Sequence, residues 1–146
     1  MTRSSRMAVV LKLARRAEEA AATHLKRSRE QLQQARQTLV QIESYQTEYL
    51  QELNAKTTQL SAQGMINDRQ FLQQVNRVMQ TQRQQILQLQ QGESRCLQQW
   101  QLCYQRRQGV ESLIERLRRD ESAAADRRLQ KELDELSSLI RRVEQS

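Results

Sequence analysis

The chain has no proline, three glycines and 3% aromatic residues in 146 positions. A globular domain of this length carries more turn formers and more rings, so no wide core is expected. No apolar run approaches the ~18 residues of a transmembrane helix. Met7-Ala8-Val9-Val10-Leu11 is too short for a signal-peptide core. The two cysteines, Cys96 and Cys103, lie seven apart on one helix face, roughly 10 Å along the axis. That separation is too long for a disulfide within a helix, and buried thiols are expected instead. The single histidine, His24, is distant in sequence, so no metal site is expected. There is no Gly-rich phosphate loop, no Cys-x-x-Cys and no nucleophile elbow. No cofactor and no catalytic residue is assigned, and the chain reads as a non-enzyme, reduced and cytoplasmic.

What remains is rich in Gln, Glu, Arg, Leu and Ala, all good helix formers. Mean hydropathy is −0.88, yet the apolar residues are ordered. Leu11, Ala14, Glu18, Ala21, Leu25, Ser28, Leu32, Ala35, Leu39, Ile42, Gln46, Tyr49 and Leu53 step alternately by three and four. So do Leu72, Val75, Met79, Gln82, Ile86, Leu89, Glu93, Cys96, Trp100, Cys103, Arg107, Val110, Ile114 and Leu117. Unbroken three-four alternation marks a coiled-coil seam. The two seams mirror each other about Gly64, pairing Leu39 with Leu89, Ile42 with Ile86 and Leu11 with Leu117. Gln46 then faces Gln82 in a polar layer that specifies register, while Glu18 against Val110 and Ala35 against Glu93 are poor layers.

The expected fold is all-α: a long two-helix antiparallel coiled-coil hairpin with a C-terminal helical extension. A seam of ~50 residues per helix gives a rod of roughly 75 Å. Residues 1–7 read as a frayed basic leader, 8–60 as helix one, 61–68 as a turn, 69–119 as helix two and 120–146 as the extension. Asn67 or Asp68 is the expected cap of the second helix. Gly92 and Gly109 lie inside it without breaking it. In the extension, Leu129, Leu133, Leu136, Ile140 and Val143 form a stripe with no counterpart on the first arm, which points to another chain.

Net charge is +7 and uneven. Residues 1–36 hold nine Lys/Arg against three acids, 37–94 four against five, and 95–146 eleven against nine. The hairpin therefore has a basic open end and a near-neutral turn end, suited to different partners. A nucleic-acid binder is the reading from another class. The acids interleaved with the C-terminal arginines and the scarcity of stacking rings oppose it, so no nucleic-acid partner is expected. The few rings gather near the turn. Thr38, Ile42, Tyr45 and Tyr49 follow i, i+4, i+7, i+11, and Phe71, Val75, Val78 and Gln82 repeat that spacing. Tyr45, Phe71 and Val78 fall off the seam, so an exposed docking patch is expected beside it.

Tyr45-Gln46-Thr47-Glu48-Tyr49 with Leu53-Asn54, Ile66-Asn67 with Gln70-Phe71, and Gln130-Lys131-Glu132-Leu133-Asp134-Glu135 resemble segments of the FliJ family. That family comprises small coiled-coil components of the flagellar type III export apparatus. The resemblance covers nearly the whole chain. It implies a central stalk that binds the hexameric export ATPase FliI and promotes its assembly, contacts the export gate FlhA, and handles export chaperones. It implies a gate-binding patch at Ile42, Tyr45, Tyr49, Phe71, Val75, Val78 and Gln82. It also implies ATPase-binding ends at Arg15, Arg16, Leu133, Asp134, Leu136 and Ile140. The implied location is cytoplasmic and peripheral, at the inner-membrane face of the flagellar base. The YscO-like stalk of an injectisome is the alternative within the same class.

Overall fold

The computed structural model describes residues 2–56 and 61–145. They form two helices, α1 (Arg3–Ala55) and α2 (Ala62–Gln145), packed against each other as an antiparallel hairpin. Among the described residues there is no strand, and no helix is long and apolar enough to cross a membrane.

The first correction concerns the leader, which is helical from Arg3. Thr2 caps it: its hydroxyl accepts from the Ser5 N–H at 3.2 Å. The first turn of α1 contains no acid, so nothing local offsets the positive end of its dipole. Glu121 of α2 supplies that charge. Its carboxylate accepts from the Ser4 N–H at 3.0 Å and from the Ser4 hydroxyl at 2.6 Å, and Ser4 is buried. These bonds hold the Glu121 carboxyl below its usual range.

The turn is corrected as well. Ser61 is the cap of α2: its hydroxyl accepts from the Gly64 N–H at 3.1 Å and its carbonyl from the Met65 N–H at 3.1 Å. Gly64 therefore lies in the first helical turn rather than at a pivot, and 62–68 is helix. Asn67 and Asp68 do not cap; Asp68 accepts from the Tyr49 hydroxyl instead. At the other side, α1 closes at Ala55, with the Lys56 N–H shared between the Glu52 and Leu53 carbonyls. The expected end of helix one at residue 60 lies outside the described residues. Helix α2 continues through Gly92, Gly109 and the expected boundary at 120 without interruption.

Contacts divide the chain into two units, Ala21–Trp100 and Met1–Ala20 with Gln101–Ser146. Within the first, Leu32, Ala35 and Ile86 form a buried cluster, with Leu39 and Leu89 packed on it. Ile86 thus meets Ala35, one heptad away from its expected partner Ile42. The Gln46–Gln82 layer does not form. Gln46 donates to Asn76 at 2.8 Å, and Gln82 donates to the Ala35 carbonyl at 2.8 Å. A three-four seam tolerates such displacement, because seam residues still meet seam residues. All the seam residues named above are nevertheless buried or half-buried.

Within the second unit, Ala14, Cys103 and Ile114 are buried, and charge links the helices. Glu18 faces Arg107 rather than Val110, and their side chains bond directly. Arg107 also donates to Glu111 at 2.9 Å, which receives Arg15 at 3.3 Å. The Arg107 guanidinium lies 5.0 Å from the Tyr104 ring. These carboxylates, Glu18 first, raise its pKa. Glu18, expected in a poor layer against Val110, is thus half of a largely buried ion pair with Arg107.

Candidate functional site

Near the turn, the two helices leave a groove of about 400 Å³ between them. Positions 38, 42 and 45 recur on one face of α1, and 71, 75 and 78 on one face of α2. Val75 is buried and Ile42 half-buried, so they form the floor; Tyr45 and Val78, more than half exposed, form the walls. Phe71 sits between the two tyrosines. Its ring centre lies 6.1 Å from Tyr45, edge on, and 4.5 Å from Tyr49, within the range of favourable ring pairs.

Tyr49 plays a different part from Tyr45. Its hydroxyl donates to the Asp68 carboxylate, and that bond pushes its pKa up to about 12. Tyr49 thereby ties the first turns of α2 to α1 and backs Phe71 from behind. Gln82, bonded to the Ala35 backbone, lines a neighbouring hollow with Gln31, Gln34 and Leu89. Of the seven expected patch residues, five line the groove, Tyr49 supports it and Gln82 stands apart. Thr38, Gln41 and Gln74 complete the lining. They share helical spacing with Tyr45 and Phe71, but glutamine is too common here for two of them to stand out. Among the described residues no charged side chain lines the groove. Its chemistry is that of recognition: apolar area with amide and hydroxyl groups at the margin.

The expected terminal site is not gathered in this way. Arg15 is engaged with Glu111, and Arg16 is exposed. Leu133, Leu136 and Ile140 are at least half exposed, and Asp134 accepts from the Gln130 amide at 3.2 Å. From residue 125 to 145 every position is exposed. Among the described residues no group of three or more His, Cys, Asp or Glu could hold a metal.

No curated protein and no solved structure matches the chain. Residues 3–146 match the family described as the flagellar FliJ protein. With a match over that span and a fold of two packed helices, the chain belongs to the FliJ family and, through it, to the flagellar export apparatus.

Proposed function

We propose that the chain is a non-enzymatic stalk of flagellar export that works by binding at both ends. The turn groove takes apolar side chains of the export gate FlhA. The terminal end, with Arg16 and the stripe Leu133, Leu136 and Ile140, binds the hexameric export ATPase FliI and favours its assembly by mass action. Export chaperones are further clients, and the protein works in the cytoplasm, held at the membrane by the gate. The observation that carries this reading is the uncharged groove around Phe71, an exposed aromatic site on a chain nearly devoid of rings.

Tyr45→Ala with Val78→Ala removes both exposed walls and leaves the buried seam intact. Gate affinity should fall at least about tenfold, as for loss of interface anchors, with the circular dichroism spectrum unchanged. Unaltered gate affinity would sink the assignment. Truncation after residue 125 removes, among the described residues, only exposed positions, so the ATPase should lose its stimulation while the hairpin stays folded. Full stimulation by the truncated chain would contradict the terminal assignment.

A further inference from the structure

One level of the hairpin, around residues 24–31 and 85–100, has two faces of opposite electrostatic character. On one face Lys26 and Arg29 stand beside Glu30, Leu97 and Trp100, and Arg29 reaches Glu93 at 3.4 Å. Cation and acid balance there. The other face is a groove of about 530 Å³ lined by His24, Arg27 and Arg95 with no carboxylate among its lining residues. Among the described residues no ion pair occupies Arg27 or Arg95. Two exposed cations on one groove, with no acid lining it, favour an anionic partner.

The floor of this groove gives the shape of what fits. Ser28, Leu89, Gly92 and Cys96 are half-buried beneath exposed walls. Gly92 lies mid-helix, where it costs about 1 kcal/mol relative to alanine. A Cβ placed there would meet nothing within 4 Å. Steric need therefore does not explain the glycine, and its missing side chain deepens the hollow. Leu89 and Cys96 add apolar floor, and Gln31, Gln85 and Gln88 add amides along the walls. A small oxyanion would use the arginines alone and leave this floor wet. An amphipathic helix would use all of it, as a third helix in the groove of two.

We propose that this face binds an acidic amphipathic helix of a partner protein, its carboxylates on Arg27 and Arg95 and its apolar side chains over Gly92 and Leu89. The charge supports that occupant, because the groove offers cations and no acid. The site is separate from the uncharged groove at Phe71 and does not depend on the export reading.

The test uses the full chain and a fluorescent 18-residue helical peptide with Glu and Leu on one face. Its Gln-for-Glu counterpart and inorganic phosphate are the comparison ligands. The acidic peptide should bind and shield Cys96 from alkylation. Arg27→Gln and Arg95→Gln should each weaken it about fivefold, the upper range for partly exposed ion pairs. Lys26→Gln, on the balanced face, should change affinity less than twofold. Gly92→Leu, which favours helix and fills the hollow, should block binding without altering charge. The proposal is overturned if the Gln peptide binds as well, if the arginine variants bind normally, or if Gly92→Leu has no effect. It is equally overturned if phosphate binds while the peptide neither binds more tightly nor protects Cys96.

Discussion

The unit at the turn and the unit at the termini are built from the same two helices and held by different forces. Ala21–Trp100 rests on an apolar cluster at Leu32, Ala35 and Ile86. The terminal unit buries Ala14, Cys103, Ile114 and Ser4, and adds the polar ties Glu18–Arg107 and Ser4–Glu121. Apolar layers supply free energy but little direction, because any seam residue can face another. Polar pairs contribute less, yet each is satisfied at only one register. The difference is one of emphasis: the turn unit holds the buried apolar cluster at Leu32, and the terminal unit holds the half-buried Glu18–Arg107 pair.

The largest effect should come from Leu32→Ala, at a position 2% exposed. It should cost about 3 kcal/mol, within the range for large-to-small core changes, as measured by urea denaturation. Arg107→Gln should lower the thermal midpoint by less, and adding Glu18→Gln should cost little more, since the pair is already broken. A double-mutant cycle without coupling, or an Arg107 effect exceeding that of Leu32, would reverse the ordering of the two units.

Smaller effects should separate the ends by pH. Tyr49 has a raised pKa, so the stability from its bond to Asp68 is complete below its unfolded value of about 10. That stability is lost as pH rises toward about 12. Absorbance at 295 nm should show one late-titrating tyrosine, and Tyr49→Phe should abolish it. Glu121 has a lowered pKa, so its contribution is present above the ordinary carboxylate value and lost as pH falls through its lower folded value. Amide exchange at Ser4 and Ser5 should accelerate in acid while the Leu32 region stays protected. Equal acceleration in both regions would erase the contrast. The smallest effect should be a gain: Gly109→Ala meets no neighbour within 4 Å and should add at most about 1 kcal/mol.

Periodicity made the helices, the seam and most of the turn groove legible in the sequence, because a three-four rhythm has only one structural meaning. Register was not legible. A three-four seam still sets apolar on apolar when one arm is displaced along the other, and the rhythm does not mark Ser61 as the cap. Asp68 looked like a cap until a tyrosine 19 residues earlier claimed its carboxylate. Ser4 looked like part of a frayed leader because its partner lies 117 positions away. Gln82 shared the patch spacing but found a backbone carbonyl across the seam. Each miss was a long-range polar contact, which leaves no trace in local periodicity.

The clamp between Ser4 and Glu121 has a consequence for synthesis. A ribosome makes α1 first, but the acid that complements its start is encoded near the end of the chain. More than a hundred residues must emerge before the first turn of α1 meets Glu121. Until then its opening residues have the local cap from Thr2 but lack the long-range one. A chain cut short before position 121 would yield a hairpin whose first turn lacks that anchor.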